Sequence, residues 1–139
     1  MVRLEISKSI NANLDRVWSI ISDLDNEPKY WHGTKSVKNI DVKGDKIVRE
    51  VVIAFRNSKC KEIIEMKKNK SIDIEIVDGP MKGHKIITLN EDNGKTRVDV
   101  IWDIKLSGFL SMFTNMVKGH IEDGTRDALE RISKECENN

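Results

Sequence analysis

The chain has 139 residues and little of what usually carries fixed chemistry. It holds two cysteines, Cys60 and Cys136, far apart and outside any Cys-x-x-Cys. That excludes a zinc ribbon and a disulfide framework, and both are expected to be free thiols of a reducing compartment. Its three histidines are His32, His84 and His120. No two stand at helical i, i+4 spacing, so no metal site is expected. No glycine-rich loop matches a nucleotide fingerprint; Gly79-Pro-Met-Lys-Gly83 reads as turn geometry, and no cofactor is expected. No apolar run approaches the roughly 20 residues of a membrane-spanning helix. No secretory pattern precedes Val2, where alternation begins, and a cytoplasmic location is expected. The net charge of +1 lacks the basic excess of a dedicated nucleic-acid binder, so DNA is not an expected partner.

What is present is pattern. Val2–Ile10 alternates, with Val2, Leu4, Ile6 and Ile10 on one face and Lys8 interrupting it, as a half-buried strand does. Asn13 stands as an N-cap before a helical stripe of Leu14, Val17, Trp18 and Ile21. After "NEPKYWHG", a corner that places Trp31 at one end of the fold, come six segments of strand character separated by turn residues. These are Val37–Val42, Ile47–Phe55, Cys60–Lys68, Ser71–Asp78, His84–Asn90 and Thr96–Leu106. Asn93-Gly94 marks a tight hairpin. From Phe109 the period changes. Apolar residues recur at three- and four-residue steps as far as Cys136, predicting one helix of about 28 residues. Gly119 and Gly124 inside it suggest a close backbone approach or a bend.

The expected fold class is therefore α+β. A seven-stranded antiparallel sheet, with two short helices after its first strand, grips a long C-terminal helix. All 139 residues form one domain. A one-sided sheet must cover its apolar face, and the long helix is the only element large enough to do so. The space between them is the natural place for a cavity.

This order resembles the helix-grip, START-like superfamily, and within it the polyketide cyclase/dehydrase and lipid-transport group. The resemblance is carried by "ISKSINANLDRVWSIISDLDNEPKYW", by "DGPMKGHKIITL" and by "VDVIWDIKL" before the last helix. Val17, Trp18, Asp23, Asp25, Trp31 and Gly79-Pro80 are its fixed points. Within that group the chain looks similar to the subgroup containing coenzyme Q-binding and ribosome-association toxin-like proteins; many relatives have Pro where this chain has Asn13-Leu14. The resemblance implies binding or transport of a small apolar or amphipathic ligand between sheet and helix.

The residues expected to line that space are Trp31, Met66, Ile74, Ile76, Met81, Ile86, Trp102, Phe109, Phe113, Met116 and Val117. Glu62, His84 and His120 are the expected polar anchors. Glu62 shares a strand face with Cys60, Ile64 and Met66, so burial would disfavour its charged form and raise its pKa. His120 lies on the apolar stripe of the long helix. Glu62 and His120 are accordingly the acid–base candidates if the domain is a cyclase- or dehydratase-like enzyme. A third reading is an interaction domain touching ribosomes or a membrane surface. It would use Lys35, Lys38, Lys43, Lys46, Lys59, Lys61, Lys67, Lys68 and Lys70 at strand edges and hairpin ends.

Overall fold

A computed structural model of the chain describes residues 1–138. Its strands are β1 (Val2–Ile10), β2 (Thr34–Lys43), β3 (Lys46–Ile53), β4 (Lys59–Lys67), β5 (Ser71–Asp78), β6 (Met81–Asp92) and β7 (Lys95–Leu106). Its α-helices are α1 (Leu14–Ile21), α2 (Glu27–Tyr30) and α3 (Thr114–Glu137). The strands form one antiparallel sheet in the order β1-β7-β6-β5-β4-β3-β2. Consecutive strands pair through short turns, as tight hairpins require; only β1 reaches across the chain, to β7.

The local causes are visible in the residues. Asn13 caps α1 by accepting a hydrogen bond from the Arg16 backbone N–H at 2.9 Å. Asn93 and Gly94 both have positive φ, which a tight hairpin between β6 and β7 needs. On β5, Ile72, Ile74 and Ile76 face inward. On β7, Val98, Val100, Ile104 and Leu106 do so, with Trp102 half-buried between them. The edge strand β2 is mostly exposed and carries register shifts, which blunts it against further strand pairing. The nine lysines singled out above are all solvent-exposed, and Lys35, Lys38 and Lys43 lie on this edge strand.

The long helix begins later than its apolar periodicity suggests. Gly108–Phe113 winds as 3₁₀ turns, and α3 then runs for 24 residues. Ser111 Oγ donates to the Gly108 carbonyl at 2.7 Å and Thr114 Oγ1 to that of Ser111 at 3.0 Å. Gly108 itself has φ +56°. Such local bonds favour tight turns over a regular helix start. With three residues per turn, positions i and i+3 eclipse. Leu110 therefore points inward, while Phe109 and Met112 point to solvent with 51% and 75% of their surface exposed.

The second half of α3 is core. Ala128, Leu129, Ile132 and Cys136 are buried, and the last three pack with β1, α1 and the Ile residues of β4 to β6. Lys8, the break in the β1 pattern, reaches Glu130 of this helix at 3.1 Å. Residues 114–124 of α3 include no fully buried residue; Thr125 is the first. That difference between the two halves leaves room beneath the helix start.

Candidate functional site

The space is a cavity of about 490 Å³. Ile74 and Ile76 of β5, Met81 of β6 and Trp102 of β7 form its floor. Leu110, Val117 and Ile121 form its roof, with Ile53 and Phe55 to one side. Gly33, Ala54, His120 and Gly124 also line it and are solvent-exposed, so they mark its open side. Trp102 is tied across to the helix: its Nε1–H donates to Thr125 Oγ1 at 3.0 Å, and that hydroxyl donates to the Ile121 carbonyl at 2.7 Å.

One wall carries charge. Arg49 lies on the inner face of β3 between Ile47 and Val51 and has no exposed surface. Its Nε donates to Glu62 Oε1 at 2.8 Å, its Nη2 to Glu27 Oε1 at 2.6 Å and its Nη1 to the Leu24 carbonyl at 3.3 Å. Thr34 Oγ1 adds a bond of 2.7 Å to Glu27 Oε2. The guanidinium thus fixes two carboxylates from different elements, one on α2 and one on β4. Glu27, Glu62 and Lys85 line the cavity, and Arg49 stands behind them.

The two carboxylates differ. Burial pushes the Glu62 carboxyl above the usual range and the Glu27 charge adds to this, so the Arg49 pairing only partly offsets them. Burial acts the same way on Glu27, but the charges of Lys85 and Arg49 with the Arg49 and Thr34 hydrogen bonds outweigh it, and its carboxyl sits below its ordinary value. Burial brings the Lys85 ammonium down to about 8, against the opposing pull of Glu27 and Glu62. Lys85 Nζ lies 3.1 Å from the centroid of the Trp31 ring and 5.0 Å from that of Trp102, so the amine rests on aromatic faces. Arg49 stays charged at every accessible pH, because its carboxylate partners overcome the burial cost.

The expected lining residues divide. Trp31, Glu62, Ile74, Ile76, Met81, Trp102, Val117 and His120 are on the cavity surface. His120 is at its open side rather than packed in the core. Met66 packs instead against the main core. Phe109, Phe113 and Met116 leave the lining because of the 3₁₀ start: Phe109 and Phe113 pack against each other as tilted rings, centroids 5.0 Å apart, and Met116 is 56% exposed. His84 and Ile86 are on the opposite face of the sheet. There His84 Nδ1 is 2.8 Å from Asp73 Oδ1, and that hydrogen bond raises the imidazole pKa. The strand phase is therefore one residue off from the expected one, and Lys85 and Ile87 face inward. His32 is exposed, and Tyr30 beside it is buried, its carbonyl accepting from Arg131 at 2.8 Å.

Arg49, Lys85 and Glu27 escape a reading built on apolar residues. The signal for Arg49 is its parity with Ile47 and Val51; that for Lys85 is its parity with Ile87 and Leu89. Gly119 and Gly124 correct another expectation. A Cβ at either would meet no atom within 4 Å, so close backbone approach is not why they are glycine. Cys60 lines the cavity but is buried, which pushes its thiol up to about 11 and disfavours a reactive thiolate. Among the described residues, no three His, Cys, Asp or Glu side chains cluster as a metal site, and no helix is long and apolar enough to cross a membrane.

A sheet wrapped over a long helix, with an apolar chamber between them and polar groups on one wall, is a recurrent arrangement. The family described as polyketide cyclase / dehydrase and lipid transport matches residues 1–137 of the chain. The chain belongs to this family. Solved structures with the same fold include the Zhui aromatase/cyclase from Streptomyces sp. R1128, with TM-score 0.81, 11% identity and coverage of 97% of this chain and 93% of that one. A conserved protein from Geobacillus kaustophilus gives TM-score 0.75 and 20% identity over 97% and 95% of the two chains. A START superfamily protein from Mycobacterium smegmatis gives 0.71 and 16% over 97% and 99%. At these identities the likeness establishes the helix-grip fold and nothing finer. No curated protein matches by sequence.

Proposed function

We propose that the domain binds a small apolar or amphipathic molecule in the cavity beneath the start of α3. The observation that carries this reading is the cavity itself. Its volume of about 490 Å³ falls within the range of small-molecule sites, about 300–1,000 Å³. Its surface combines aliphatic and aromatic side chains with a few polar groups, Glu62 and Lys85 on one wall and His120 at the opening. Apolar walls supply affinity and the polar groups supply orientation.

Trp31 and Trp102 report on occupancy, because both line the cavity. Titration with a graded set of fatty acids and fused-ring aromatics, followed by tryptophan fluorescence, is expected to give saturable one-to-one binding for at least one of them. Val117→Trp, which fills the chamber from the helix side, is expected to weaken that binding at least tenfold while the protein stays folded by circular dichroism. Unsaturable responses throughout, or binding untouched by Val117→Trp, would remove the basis of this reading.

Catalysis in the same cavity is the second reading. It is favoured by Glu62, a carboxyl that burial and the neighbouring Glu27 charge hold above its usual range, as a general acid requires. His120, at the opening, is the companion base. A ligand that the wild type converts and the Glu62→Gln, His120→Ala double variant converts at the same rate would exclude both roles.

A further inference from the structure

The charged wall leaves one group without a partner. Arg49 takes up Glu27 and Glu62 through short ion pairs. Lys85 Nζ, among the described residues, has no hydrogen-bond acceptor and no carboxylate at salt-bridge distance; its closest company is the faces of Trp31 and Trp102. It is buried from bulk water yet lines the cavity. Glu27 and Glu62 act on it through their charges alone, and an ammonium without a hydrogen-bond partner is costly to bury.

We propose that Lys85 is a nucleophile toward carbonyl ligands, forming a reversible imine with the aldehyde or ketone group of an apolar molecule seated in the cavity. This rests on the reading of the cavity as a ligand site. The amine lone pair attacks the carbonyl carbon, the carbonyl π pair moves to oxygen, and oxygen takes a proton as nitrogen gives up its first. The resulting carbinolamine expels that oxygen as water while nitrogen loses its second proton. An amine and a carbonyl become an imine and one water, with no oxidant or reductant required.

Three features suit the step. Burial lowers the cost of releasing the ammonium proton, and with a pKa of about 8 roughly a quarter of Lys85 is free amine near pH 7.5, against roughly a thousandth for an ordinary lysine. Glu62 lines the same cavity, and burial shifts its carboxyl above the usual carboxylate range, the direction that favours it as proton donor to the departing oxygen. Finally, the wall is charge-balanced: the charges acting on Lys85 are those of Glu27, Glu62 and Arg49. A ligand carboxylate would add an anion beside that of Glu27, whereas a neutral carbonyl adds none.

The test uses the full chain, 2-naphthaldehyde as probe and cyanoborohydride to trap any imine near pH 7.5. Labelled lysines are mapped by peptide mass spectrometry in wild type, Lys85→Arg and Lys85→Met. Binding of 2-naphthylmethanol, which has the same rings and no carbonyl, is measured in parallel by tryptophan fluorescence. The expected result is labelling of Lys85 at least about tenfold faster than of any surface lysine, suppressed by excess naphthylmethanol, with surface labelling unchanged in both variants. If naphthylmethanol binds but Lys85 is labelled no faster than surface lysines, the imine proposal is overturned and the ligand site stands. If neither probe binds and Lys85 is not labelled selectively, both are overturned.

Discussion

Arg49 has no exposed surface and spends its guanidinium on two carboxylates and a backbone carbonyl. It shows how far single residues could be read from sequence. Its neighbours Ile47 and Val51 have the same parity, so alternation alone places it inside; charge argues for the outside, and only the carboxylates of Glu27 and Glu62 resolve the conflict. Neither partner is near it in sequence. Lys85 was harder still, because Ile86 and Ile87 are both apolar and the strand phase is ambiguous between them. Glu62, by contrast, was legible from its place between Cys60 and Ile64 on one face of β4.

Lys85 also makes a prediction about stability. Its folded pKa of about 8 lies below its ordinary value of 10.5. Below pH 8 the folded state bears the full cost of the buried charge. Between about 8 and 10.5 the unfolded chain binds more protons, so the contribution of Lys85 to stability rises with pH. The buried thiols Cys60 and Cys136, both raised to about 11, act in the opposite sense over this window, so the comparison needs a variant. Urea unfolding of wild type and Lys85→Met at pH 7 and pH 9.5 is expected to show the difference between them moving in favour of wild type by about 2 kcal/mol. An equal difference at both pH values would contradict the assignment.

Among the elements, β5 and β7 were readable because β5 alternates cleanly, β7 does so but for Ile101, and one face of each is buried. The start of the long helix was not, because the apolar residues of 109–116 keep helical spacing while hydroxyl bonds at Ser111 and Thr114 hold the chain in 3₁₀ turns. The glycines carry the element-scale prediction. Gly83 lies in β6 with φ +138°, and a Cβ there would run into the Asp103 carbonyl oxygen of β7 and stand 2.8 Å from Ile104 Cα. Gly83→Ala is therefore expected to destabilise by about 1–3 kcal/mol. Gly119 sits in α3 with open space around it, so Gly119→Ala is expected to stabilise by up to about 1 kcal/mol. Thermal unfolding of the two variants checks both signs. A stabilised Gly83→Ala would mean that the β6–β7 register is wrong.

For the molecule as a whole, the cavity follows from an asymmetry in one helix. The second half of α3 closes the core with Leu129, Ile132 and Cys136, while the first half roofs a chamber with Val117 and Ile121. The fold was legible across nearly the whole chain, since seven strands and a long helix each leave a periodic trace. The chamber's polar wall was not, because it is assembled from α2, β3, β4 and β6, which meet only in three dimensions. Native mass spectrometry of freshly purified protein shows whether the chamber holds a molecule. The expected spectrum has a population heavier than the bare chain by the mass of one small molecule, lost under denaturing conditions and absent from Val117→Trp. A spectrum of bare chain only, unchanged after incubation with the fatty acids and fused-ring aromatics of the fluorescence screen, would contradict binding in the chamber.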